Sequence, residues 1–112
     1  MMTQLEITET ADPDGPIRVA LTGELDLAVC ERVRARLMEL SAAGAAVRLD
    51  LRRLEFIDSS GLQLLLSMAV QARGSDWSFE VDHDVGHAVR RTIELVGAGS
   101  VLWASRGRAP DP

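Results

Sequence analysis

The chain has 112 residues, 46% of them apolar, and a formal net charge of -5. That size fits one domain, and that apolar share is too high for a disordered chain. The acidic balance argues against a nucleic-acid partner, and no apolar run approaches the ~18 residues of a membrane span.

In chain order, Gln4 to Glu9 alternates with Leu5 and Ile7 on one face, which predicts a strand. Asp12-Pro13-Asp14-Gly15-Pro16 is dense turn chemistry, and Ile17 to Leu21 alternates again. Two short strands joined by a compact turn pair antiparallel. The period then changes. Cys30, Val33, Leu37 and Leu40 recur at helical spacing between Leu27 and about Ala43, with Asp26 where an N-cap belongs and Gly44 where the chain leaves the helix. Ala46 to Leu51 reads as a third strand, and a looser segment, Arg52 to Ile57, leads to Asp58. A second helix opens at Ser59 or Ser60 and runs to about Arg73. Trp77 to Val81 is a fourth strand. Val85, Ala88, Val89, Thr92, Ile93 and Val96 mark a third helix, started by Asp84 and closed near Gly97-Ala98-Gly99. Val101 to Trp103 reads as a short last strand.

The expected class is therefore α/β, with a mixed, mainly parallel sheet carrying helices in the order β-β-α-β-α-β-α-β. A single domain spans residues 1–104, and a polar tail covers residues 105–112. In such sheets, sites form in loops just past the carboxyl ends of strands. Two segments qualify: Gly23-Glu24-Leu25-Asp26 and Asp58-Ser59-Ser60-Gly61, each leading into a helix.

By itself, Asp-Ser-Ser-Gly reads first as a capped helix start. A serine hydroxyl there accepts from unpaired N–H groups, and Gly61 permits a tight turn. The same geometry suits a switch. A phosphoryl group adds about -1.5 to -2 charges, next to Asp58, and the other candidate loop carries Glu24 and Asp26. The second helix adds a clue. Leu62, Leu65, Leu66, Ala69 and Val70 form one stripe, yet Leu64, Met68 and Ala72 fall elsewhere. A helix apolar nearly all round is either deeply buried or presents a face to a partner.

These residues resemble the domain shared by sulfate transporters and anti-sigma-factor antagonists, known as STAS. The resemblance rests on Leu21-Thr22-Gly23-Glu24-Leu25-Asp26, on Leu49-Asp50-Leu51 with Phe56-Ile57-Asp58-Ser59-Ser60-Gly61-Leu62, and more weakly on Ala88-Val89-Arg90-Arg91 through Leu95 and Gly97. It departs from the family at Gly97-Ala98-Gly99 and at His83-Asp84. It implies a cytoplasmic antagonist, not an enzyme, that binds an anti-sigma factor which is also a serine kinase, and so frees a sigma factor. The kinase uses ATP to phosphorylate Ser59, the antagonist lets go, and a phosphatase acting on phospho-Ser59 resets it. Glu24, Asp26, Asp58, Ser60, Gly61 and Leu62 would form the partner surface. ATP belongs to the kinase, so no cofactor is expected on this chain.

Two other readings stay open. One is a constitutive STAS subunit docked in a transport ATPase or stress-signalling complex. The other is a small-molecule or nucleotide site at the sheet-end loops. Several sites are set aside. All twelve basic residues are Arg, and the absence of Lys excludes receiver-type phosphoryl chemistry at Asp58 and a P-loop. Asp82, His83, Asp84 and His87 read as a solvated helix start rather than a metal site. Cys30 reads as a buried structural thiol, Trp77 and Trp103 as core or rim residues, and Arg90-Arg91 as a solvated face.

Overall fold

The computed structural model describes residues 5–11, 13 and 15–103. Gln4, two residues of the expected turn and the tail from Ser105 lie outside that set. Strands β1 (Leu5–Ala11) and β2 (Ile17–Leu25) form the expected antiparallel hairpin, with Leu5 opposite Gly23 and Ala11 opposite Ile17. Helix α1 (Leu27–Ala42) follows, and Gly44, at φ 74°, turns the chain out of it. Strand β3 (Val47–Asp50) lies parallel to the first half of β2, and β5 (Phe79–Val81) lies parallel to β3. Between them come β4 (Leu54–Ile57) and helix α2 (Ser59–Arg73). Helix α3 (His87–Leu95) packs against β4, and the short α4 (Gly99–Leu102) packs against α2.

The α/β class and the mixed sheet agree with the sequence. Four details do not. Arg52 to Ile57 is not merely loose, because Leu54–Ile57 pairs with the second half of β2. Its burial runs buried, exposed, exposed, buried, so no alternation signals a strand. That pairing also draws β2 on to Leu25, leaving only Asp26 between strand and helix. Val101 to Trp103 is not a strand. The N–H groups of Leu102 and Trp103 reach back to the Ala98 and Gly99 carbonyls at 3.0 and 2.9 Å, closing helical turns. A three-residue apolar run carries no period that separates the two. Finally, Gly86 rather than Asp84 caps α3.

Alternation divides the sheet into two faces. Val19, Leu49 and Val81 stand in register across β2, β3 and β5, each at most 5% exposed, and face the helical side with Leu21 and Leu25. On α1 the buried positions are Val29, Val33, Leu37 and Leu40. Cys30, one position off this stripe, is only half-buried. Leu64, Leu65 and Met68 of α2 are all but inaccessible, so most of that unusually apolar helix is core. Trp77 is buried, stacks on Phe79 and donates from Nε1 to the Ala45 carbonyl at 2.9 Å.

The other face carries charges. Asp50 is the one buried charged residue among those described. Its carboxylate accepts from the Arg52 backbone N–H and guanidinium and from Arg18 Nη1, at 3.0 to 3.3 Å. Arg18 also reaches Asp82 at 3.0 Å, and Arg48 bridges Asp82 and Glu80. The Arg52 side-chain hydrogen bonds hold the Asp50 carboxyl below the usual carboxylate range.

A second constraint lies where α2 meets the sheet. A Cβ on Gly61 would stand 2.6 Å from the Leu25 carbonyl oxygen and 2.7 Å from Leu25 Cγ. The residue sits inside the helix with ordinary φ, so its need is for space rather than for an unusual turn.

Two outcomes follow from these contacts. Gly61→Ala should lower stability to urea by about 1–3 kcal/mol from overpacking, although Ala favours a helix by about 0.8–1 kcal/mol; a net gain would contradict the close approach. The folded-state pKa of Asp50 is depressed, so its stabilisation is present above the unfolded value, about pH 4, and is lost as pH falls through the folded value. Asp50→Asn should therefore cost about 1–2 kcal/mol at neutral pH and flatten the acid limb of the urea-midpoint profile. An unchanged acid limb would remove Asp50 from that account.

Candidate functional site

Strands β2 and β4 are parallel and end level, with Leu25 beside Ile57. The next residue of each is an aspartate, and each aspartate caps the helix that follows. Asp26 accepts from the Ala28 N–H at 3.1 Å. Asp58 accepts through Oδ1 from the Gly61 N–H at 2.9 Å and through Oδ2 from the Leu27 N–H at 3.2 Å. Its own N–H donates to the Leu25 carbonyl at 3.2 Å. One residue therefore closes the start of α2 and ties it to the start of α1.

This corrects the expectation that a serine caps α2. Asp58 takes that place because its carboxylate reaches the third helical N–H, as an N-cap does. Ser59 and Ser60 then fall in the first turn, Ser59 exposed and Ser60 half-buried. Among the described residues, no hydrogen bond engages the Ser59 hydroxyl. The N–H groups of the first two helical positions have no intrahelical acceptor.

The other site residues divide by exposure. Glu24 is exposed on β2 opposite Phe56, itself 48% exposed. Asp26 and Asp58 are half-buried, and Leu27, which follows Asp26 and donates its N–H to Asp58, is 72% exposed. Gly61 and Leu62 are buried, so they support this surface from below. The strand ends thus bring together two carboxylates, the exposed Leu27 and the exposed Ser59, while Glu24 and Phe56 point to the opposite side of the sheet from Leu25 and Ile57.

Two clefts flank the exposed edge of α2. One, of about 880 Å³, runs from Ser59 between α2 and the pair α3 and α4, past Leu66, Val70, Val96 and Val101. The other, of about 590 Å³, lies between α1 and α2 beside Leu27, Cys30 and Ser60. Sequence reading missed the far wall of the first cleft. Val96 counts there as helix core and Val101 as strand, and only the fold brings them to α2. Burial, and then the Asp58 charge, push the Cys30 thiol above its ordinary value, which disfavours the reactive thiolate.

The remaining candidates take structural places. His83 stacks on Trp103, and Arg90 lies over the same ring while donating to the His83 carbonyl, so Arg90 is not simply a solvated side chain. Trp103 donates to the Asp82 carbonyl at 3.2 Å. No group of three metal-ligating side chains gathers among the described residues, and no helix there is long and apolar enough to cross a membrane.

Comparison with known proteins places this geometry. A crystal structure of an anti-sigma factor antagonist from Mycobacterium paratuberculosis is similar at 27% identity, with a TM-score of 0.69, covering 89% of this chain and 87% of that one. The unphosphorylated form of the anti-sigma factor antagonist SpoIIAA shares the fold at 21% identity and TM-score 0.67, covering 91% and 90% of the two chains. The Bacillus cell fate determinant SpoIIAA in its phosphorylated form does so at 22% and 0.65, covering 91% and 94%. Comparison with curated proteins gives no match. The family model described as "Mlab, STAS domain" matches residues 8–103, and the chain belongs to the STAS domain family.

Proposed function

We propose that this protein is an anti-sigma-factor antagonist. It binds an anti-sigma factor that is also a serine kinase, frees the sigma factor, and is switched off when that kinase phosphorylates Ser59. A separate phosphatase restores it. These events belong to the cytoplasm, where sigma factors act.

The observation that carries this reading is the free Ser59 hydroxyl. Asp58 performs the capping, and among the described residues the Ser59 hydroxyl, exposed at a helix start, makes no hydrogen bond. A kinase can reach it without opening the fold. A phosphoryl group there would meet the unpaired N–H groups of the first turn, so the domain would tolerate it. A partner laid over Glu24, Asp26, Asp58 and Ser60 would not, because it must cover a new charge of about -2. Membership of the STAS family and the 27% identity to an anti-sigma factor antagonist support the same assignment. The phosphoryl donor and its metal belong to the kinase, so this chain needs only to present the acceptor.

The test is phosphorylation by an anti-sigma kinase of the same genome, with the modified residue mapped by mass spectrometry. Ser59 should take the phosphate, and Ser59→Ala should take none. Ser59→Asp should bind the kinase at least about tenfold more weakly, ~1.4 kcal/mol, while Ser59→Ala binds like the wild type. Modification of Ser60 instead would overturn the assignment. Equal binding by both variants would favour a constitutive docking subunit.

A further inference from the structure

We propose that the cleft between α2 and the α3–α4 pair receives an amphipathic helix of the partner, apolar face inward, and that phosphate on Ser59 expels this helix by its hydration rather than by charge repulsion. The proposal rests on the antagonist reading above and names the surface and force behind it.

All twelve described residues lining the cleft are uncharged, although 26% of the chain is charged. Glu24, Asp26 and Asp58 do not line it. A neutral floor beside an acidic rim is the anatomy of an interface whose centre is desolvated on binding. Val70 and Val96, both in the lining, are 55% and 61% exposed, so apolar surface remains in water until something covers it.

The shape selects the occupant. The near side follows α2 from Ser59 to Gln71, about 18 Å at 1.5 Å per residue, and the far side is Thr92 of α3, the turn Val96-Gly97-Ala98 and Val101 of α4. That length fits roughly three turns of a helix with apolar residues at i, i+3 or i+4, and i+7. The lining lacks the convergent charged groups that fix a small polar ligand. A second copy of this chain is disfavoured as occupant. The exposed stripe of α1 runs Leu27, Glu31, Arg34, Met38, with charges at its centre; the exposed apolar side of α2 already forms the cleft, and the exposed side of α3 sets His87, Arg91 and Glu94 beside Leu95.

Ser59 belongs to the lining, while the carboxylates stand outside it. A phosphate on Ser59 would hold its water at one end of an apolar seat. Covering it would strip that hydration, with no compensating cation among the described residues of the lining.

The test uses the anti-sigma kinase that modifies Ser59. Val70→Glu and Val96→Glu, each at a position already more than half exposed, should bind it at least about tenfold more weakly with unchanged urea midpoints. Met38→Glu, 39% exposed on α1 and outside the cleft, should bind as the wild type does. The loss in Ser59→Asp should persist between about 0.05 and 0.5 M salt, a range over which screening shortens from roughly 14 to 4 Å. If the wild type binds and both valine variants bind equally well, the cleft assignment is wrong and the antagonist reading stands. If high salt restores Ser59→Asp, repulsion is the force. If the wild type neither binds nor is phosphorylated, the antagonist reading fails and takes the cleft with it.

Discussion

The Asp58 carboxylate divides its two oxygens between Gly61 in α2 and Leu27 in α1. Its backbone N–H donates to the Leu25 carbonyl at the end of β2. The arrangement is possible only because β2 and β4 are parallel neighbours that end at the same level, and because Gly61 leaves room for Leu25. The fold thus converges on one residue. The sheet delivers two aspartates side by side, and the second fastens two helix starts together. Ser59 stands next to that fastening without being part of it. Under the proposed function this placement suits Ser59, since a structural hydroxyl cannot be derivatised without losing what it holds.

The two sides of the molecule divide their chemistry in a way that suits this. On the sheet face away from the helices, Arg18, Arg48 and Arg52 are paired with Asp50, Asp82 and Glu80. These charges neutralise one another and keep an otherwise open sheet face in water. On the helical side, α2 has no charged residue before Arg73, whereas α1 and α3 carry several. Surface made of Ser, Gln, Leu and Val is easily dehydrated by a partner. A phosphate introduced into that surface changes its character far more than one more charge would on the sheet side.

Much of this was legible in the sequence, where short-range patterns decide the structure. Leu5, Ile7, Val19 and Leu21 alternate, and they form the hairpin. Asp58 and Ser59 stand between a strand and a helix, where the motif puts them. What was not legible depends on residues far apart in the chain. Strand β4 pairs through an irregular register at Gly23 and Glu24, and shows no alternation. Arg18 meets Asp50 and Asp82 across 32 and 64 residues. The capping residue of α2 depended on which of three adjacent polar side chains reached the Gly61 N–H, which spacing alone leaves open. The cleft needed α3 and α4 to be folded against α2, and Val101 read as a strand concealed its far wall.

The claim on which the rest hangs is that Asp58, not Ser59, secures both helix starts. Amide hydrogen exchange followed by NMR tests it directly. In Asp58→Ala, the N–H groups of Leu27 and Gly61 should lose protection together, although they belong to different helices. In Ser59→Ala, both should exchange as in the wild type. Leu27 protection that survives Asp58→Ala, or falls in Ser59→Ala, would contradict the account.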